Sequence, residues 1–202
     1  MPLLFLILAE ELETEAFWCF SPSHSFIKFQ DKQNRWYNIE LTQGAVVTDN
    51  FYMNSGFIKS KAIQTGIYLN PRTMKQTIAH MLNDLSAYYI SRYGYDHFIE
   101  ENSNLVLRYS PSDLTAYQHY ANICTVQAQY VIDACGRPPK EQLPEYPQAH
   151  RLFKKMLQSY EKIDSLGYEE MPAEIYHNWL KQVDKAKTLP ENQPSPIIQI
   201  KK

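Results

Sequence analysis

Apolar and polar positions alternate most clearly between His24 and Gly44, in HSFIKFQDKQNRWYNIELTQG. Phe26, Ile27 and Phe29 precede the turn formers Asp31 and Asn34, and Trp36, Tyr37, Ile39 and Leu41 follow them. The pattern predicts two short β-strands joined by a tight polar turn. A three-residue loop centred on Lys32 would set His24 directly opposite Glu40, Phe26 opposite Asn38 and Lys28 opposite Trp36. Opposed side chains of this kind have Cβ atoms roughly 4.5–5.5 Å apart. A two-residue loop would slip the register by one and put His24 opposite Leu41. In the first register Ile27, Phe29, Tyr37, Ile39 and Leu41 share the other face, the expected core face. EAFWCF, just upstream, reads as a further strand.

The chain opens with MPLLFLILAEELETE, in which Leu4, Ile7, Leu8 and Leu12 fall at helical spacing while Glu10, Glu11 and Glu13 fill the polar side. The apolar run lacks a basic start and is cut off by acidic residues, so it is not read as a signal peptide, and it is too short to span a bilayer. Beyond the hairpin the period becomes helical. Thr48 and Asp49 are positioned to cap a short helix ending at Gly56, and a second runs from Lys59 to Thr65. A long helix is expected to start near Pro71, with Ile78, Met81, Leu82, Leu85, Tyr88 and Tyr89 as its packed stripe, and to end at Gly94. His80 lies at the edge of that stripe, where a packing role is expected. Further helices are predicted over Asp96–Tyr109, Asp113–Ala134, Gln148–Ser165 and Pro172–Lys187. RPPKEQLPEYP interrupts them, because proline cannot continue a helix. From Thr188 the periodicity stops and a flexible tail is expected, with PIIQI as a candidate edge strand.

Composition narrows the function classes. The 202 residues are 44% hydrophobic, with a formal net charge of −2, ordinary values for a globular chain. There is no basic stripe and no electrostatic case for nucleic acid. The 15 tyrosines suit helices that bury rings and keep a polar tip in water. The three cysteines, Cys19, Cys124 and Cys135, are scattered, and no close pair makes a zinc motif. No cofactor or metal site is expected.

The candidate chemistry is His24 with Glu40. A carboxylate that holds an imidazole fixes its tautomer and stabilises the imidazolium, which is the base-and-orienter pair of a nucleophilic site. The bland alternative is an ion pair across a hairpin. HSFIKF followed by RWYNIELT resembles the His-strand and acid-strand of the transglutaminase-like (papain-like) superfamily, whose acid strand ends in Asp-Pro-Thr or a Glu-Thr variant. Residues 45–85 are similar to bacterial members in which helical, TPR-like repeats follow this half-domain. LVLRYSPSDLTAYQHYANI resembles the hinge between neighbouring TPR repeats.

The resemblance covers about residues 1–90 and implies an α+β fold. A partial transglutaminase-like half-domain with a small antiparallel sheet would occupy residues 1–70, TPR-like antiparallel α-helices residues 71–187, and the tail residues 188–202. It gives His24 the base position and Glu40 the acid position, where Asp is commoner. It also places a nucleophilic Cys at the N-terminus of the helix before the strands, where the helix dipole favours a thiolate. Met1 and Pro2 stand there instead. The expectation is therefore a truncated or remnant enzyme, non-catalytic as it stands, that binds a protein or peptide partner through its TPR-like helices. The alternative is an acyl-transfer or amide-hydrolysing enzyme in a longer form. Cys19, five residues before His24, is the rival nucleophile, with the reading as a buried small hydrophobe preferred. Compartment is not legible, since an export signal would fall in a missing segment; the chain as it stands reads as cytoplasmic.

Overall fold

The computed structural model describes residues 2–42, 44–178 and 181. The fold is mixed α+β, with a four-stranded antiparallel sheet and a run of helices. The chain divides into two compact units, the second comprising Thr73–Tyr168 and the first the residues on either side of it.

In the first unit the strands lie in chain order: β1 (Ala16–Ser21), β2 (His24–Gln30), β3 (Trp36–Glu40) and β4 (Ala45–Val47). β1 turns into β2 through Pro22 and Ser23, with Ser21 paired to His24 and Ser23 in the left-handed region at φ 54°. β2 and β3 pair Lys28 with Asn38 and Gln30 with Trp36. This corrects the expected register by two residues. The cause is the loop from Asp31 to Arg35, which Asp31 organises. Its carboxylate accepts the Gln33 and Arg35 amides at 2.9 Å each and Arg35 Nε at 2.7 Å, while Asn34 takes φ 61°. A slip of two keeps every side chain on its expected face, because the strand period is two. β4, too short to carry an alternation, was not expected.

α1 (Pro2–Glu11) covers one face of the sheet. Leu6 packs there with Trp18 and Ile27, flanked by Leu3, Phe5, Phe20, Ile39 and Leu41. The expected stripe of Leu4, Ile7, Leu8 and Leu12 is exposed instead. PLLFLILA is apolar all round, so spacing alone could not select the inward face. A four-residue connection, Leu12–Glu15, returns the chain into β1.

The opposite face meets α2 (Asp49–Ser55). The Tyr52 ring stacks on Phe26 at 3.9 Å between centroids. Buried Lys28 donates to both oxygens of Asp49, at 2.9 and 3.0 Å, and to the Leu69 carbonyl at 3.1 Å. Asn38 donates to the same Asp49 carboxylate at 2.8 Å. Asp49 therefore serves the sheet, and Thr48 caps α2 without a side-chain bond. α3 (Ser60–Gln64) follows, and residues 69–72 run along the free edge of β1 through Leu69 N to Phe20 O and Arg72 N to Trp18 O.

In the second unit α4 (Met74–Tyr93), α5 (His97–Tyr109), α6 (Leu114–Ala134) and α7 (Pro147–Ser165) pack consecutively, with a 3₁₀ turn over Lys140–Glu145 between the last two. α4 begins at Met74 rather than near Pro71, because Thr73 and Gln76 form a capping box. Its packed side is also corrected. Thr77, Ala79, Asn83 and Ser86 are buried, while Ile78, Met81, Leu85 and Tyr88 are exposed. Small side chains allow a close approach of helices, and the polar ones find partners. Asn102 of α5 donates to Leu82 O and Ser86 Oγ, and Asn83 donates to Asp113 at 3.0 Å. A short helical stretch covers residues 173–178. Of the helix expected to Lys187, residues 179, 180 and 182–187 lie outside the described residues, as does the tail with PIIQI.

Candidate active site

His24 opens β2 and Glu40 closes β3. In the observed register Glu40 is diagonal to His24 rather than opposite, on the same face. The twisted hairpin brings His24 Nε2 within 2.6 Å of Glu40 Oε2. Three further donors reach the carboxylate. Oε1 accepts the Thr42 amide at 3.0 Å and its hydroxyl at 2.6 Å, and Oε2 accepts the Tyr52 hydroxyl at 2.9 Å. Thr42 is placed by the chain's turn just after β3, and Tyr52 by the first turns of α2.

The two partners differ in exposure. The Glu40 side chain is 3% accessible, whereas that of His24 is 35% accessible. Burial would raise the Glu40 carboxyl, but the hydrogen bonds from Thr42, His24 and Tyr52 outweigh it and hold it below the usual carboxylate range. A carboxylate has no proton to give, so His24 Nε2 carries the hydrogen of the bond. When the ring is neutral its lone pair is on Nδ1, which has no hydrogen-bond partner among the described residues. Nδ1 is the nitrogen that can accept a proton from a neighbouring nucleophile.

Cys19 shares this face, paired with Phe26 and two residues along β1 from the partner of His24. It is fully buried, and burial pushes its thiol up to about 12, against the smaller opposing pull of Lys28. This is the environment of an inert core thiol. Burial likewise raises the Cys124 thiol in the helical unit, and Cys135 sits at the C-cap of α6. The side chain of His24 faces away from α1, which packs on the other face of the sheet.

A second histidine–carboxylate pair lies in the helical unit. His80 Nδ1 and Asp113 Oδ2 are 2.6 Å apart, with side-chain exposures of 12% and 0%. Asp113 also caps α6 by accepting Ala116 N at 3.1 Å. His80 is thus tied into a buried network rather than resting on the edge of a stripe. The Asp113 carboxylate is spent on capping α6 and tying it to α4, so we read the pair as structural.

The sequence pointed to His24 and Glu40 but not to Tyr52 as a support of Glu40. Tyr52 carries no signal of its own, since one tyrosine in a short helix reads as packing. Among the described residues, no group of three or more His, Cys, Asp and Glu side chains is placed to hold a metal ion, and no helix is long and apolar enough to cross a membrane. In comparisons with known proteins, no family model, no curated protein and no solved structure matches this chain.

Proposed function

We propose that His24 and Glu40 are the base and orienting acid of a transglutaminase-like, thiol-dependent acyl-transfer site. The observation that carries the reading is the locked carboxylate: a buried Glu40 with four donors, one of them the Nε2 of a partly exposed imidazole. A casual ion pair across a hairpin has no need of such support. The helix–strand–His-strand–acid-strand order of α1, β1, β2 and β3 supports it. In this reading none of the three cysteines is the nucleophile. The thiol belongs at the N-terminus of α1, where the free amides favour a thiolate.

The test is to place a cysteine at each position just ahead of Met1 and to mix each chain with an activated ester such as p-nitrophenyl acetate. One position should give a burst of one p-nitrophenol per chain, because the thiol attacks the ester carbonyl and expels the phenolate. His24→Ala should abolish that burst. Absence of a His24-dependent burst at every position would overturn the reading.

A second role is favoured by α4. Met74, Ile78, Met81, Leu85 and Tyr88, at spacings of four and three, form an exposed apolar stripe. Such a stripe is the helical pattern that packs against another apolar face. It supports the helical unit, with its TPR-like hinge, as a surface for a protein partner. Recovery of a partner by the intact chain, lost in an Ile78→Lys, Leu85→Lys double variant that still folds, is the expected result.

A further inference from the structure

The support of Glu40 goes beyond holding it still. Tyr52 and His24 share one oxygen, Oε2, while Thr42 alone occupies Oε1 with two donors. The Tyr52 ring is fixed independently of this bond. It stacks on Phe26 at 3.9 Å and lies nearly parallel to the His24 ring, 6.1 Å away at 27°. The hydroxyl is therefore aimed by packing, not by the carboxylate it meets.

We infer that Tyr52 is a positioning residue that sets how strongly the imidazole of His24 holds its proton, by sharing the charge of Glu40 Oε2. This rests on the reading of His24 as base. A donor to a carboxylate spreads its negative charge and weakens its attraction for an imidazolium on the same oxygen. A base that must take a proton from a thiol and return it works best when its affinity is close to the working pH. Glu40 without Tyr52 would overbind the imidazolium. Burial and the bond to Glu40 raise the Tyr52 hydroxyl far above its usual range, so it remains a donor throughout. The other charged or titratable groups on this face are Lys28, paired with Asp49, and the neutral Cys19 thiol; Arg72 acts on that thiol from residues 69–72. All four are present in every variant below, so they do not contribute to the differences.

The experiment is a nitrogen-15 NMR titration of His24 in the full chain, with its signal assigned by loss in His24→Gln. Tyr52→Phe keeps the ring stack and deletes only the hydroxyl. Thr42→Val deletes a donor to the other oxygen. Both should raise the His24 midpoint by about half a pH unit. An unmoved or lowered midpoint in folded Tyr52→Phe would overturn the inference, because a tyrosine that merely packs is mimicked by phenylalanine. If Tyr52→Phe does not fold, 3-fluorotyrosine placed at position 52, a stronger donor of nearly the same shape, should lower the midpoint instead, and an unmoved or raised midpoint would overturn the inference. This titration needs no nucleophile. Failure of the ester burst would remove the acyl-transfer reading while leaving the titration result standing, so the two failures are distinguishable.

Discussion

Replacing Glu40 by Gln should cost little stability and yet disable the imidazole. The amide is nearly isosteric, but it has one accepting oxygen and an NH2 that can only donate. Its oxygen is best kept on the Thr42 amide and hydroxyl, which leaves the NH2 facing Tyr52 and His24. The Tyr52 hydroxyl can turn to accept. His24 Nε2 can accept only if the ring proton moves to Nδ1, and Nδ1 then has no lone pair for a neighbour. Exchanging a charge-assisted hydrogen bond for a neutral one loses about 1 kcal/mol. Counting only the two Thr42 bonds and the Tyr52 bond, since His24 is partly exposed, gives about 3 kcal/mol. Burying a neutral amide instead of a carboxylate offsets part of this, so the net cost is about 1–2 kcal/mol. Urea unfolding at pH 7 measures it. The pH dependence has a definite sign. The folded pKa of Glu40 lies below its unfolded value, so its contribution is present above about pH 4.3 and is lost as pH falls through the folded value. Parent and variant should therefore converge in acid. Long-range nitrogen–proton spectra report the tautomer: Nε2–H in the parent, Nδ1–H in Glu40→Gln. A parent ring protonated on Nδ1, or a variant with unchanged tautomer and stability, would refute this reasoning.

Iodoacetamide should label Cys19 only at the rate of global opening, with no change in His24→Ala, because its thiol is buried and pushed up to about 12; mass-spectrometric time courses check this, and rapid labelling that depends on His24 would return Cys19 to candidacy. On α4, Ile78→Lys should change stability by less than about 0.5 kcal/mol. Asn83→Leu should cost about 2–3 kcal/mol, since it strips a buried donor from Asp113; urea midpoints of the two variants separate these outcomes. His119 has its pKa lowered by burial, so the unfolded chain takes up that proton first. The helical unit should lose stability as pH falls from about 6.5 through the folded value, and His119→Gln should flatten that slope in thermal melts.

The hairpin was legible because apolar and aromatic residues flank a polar turn, and a slip of two residues leaves faces unchanged. The register itself was not, since it depends on how Asp31 gathers three donors in a five-residue loop. Much of the helix inventory was legible from starts and breakers, Asp96 and Asp113 both accepting a cap bond where helices were expected to begin, whereas the Thr73 capping box moved the start of α4 past the expected Pro71. Inward faces were not. α1 is apolar on every side, and α4 buries its small and polar residues, the reverse of what hydrophobic spacing selects. The site was legible in part. A histidine and a glutamate on neighbouring strands are visible in sequence, whereas Tyr52 reaches Oε2 only because α2 packs across the sheet.

The pH profile of thiol alkylation tests the central claim most directly. A cysteine is placed just ahead of Met1, at the position giving the largest ester burst, and its rate with iodoacetamide is followed from acid to alkaline pH. If His24, oriented by Glu40, serves a thiol at the N-terminus of α1, the rate should reach a plateau well below the ordinary thiol value of about 8.5. His24→Ala should return the profile to that of a free thiol. A profile that follows the free thiol in both chains, indifferent to His24, would contradict the account.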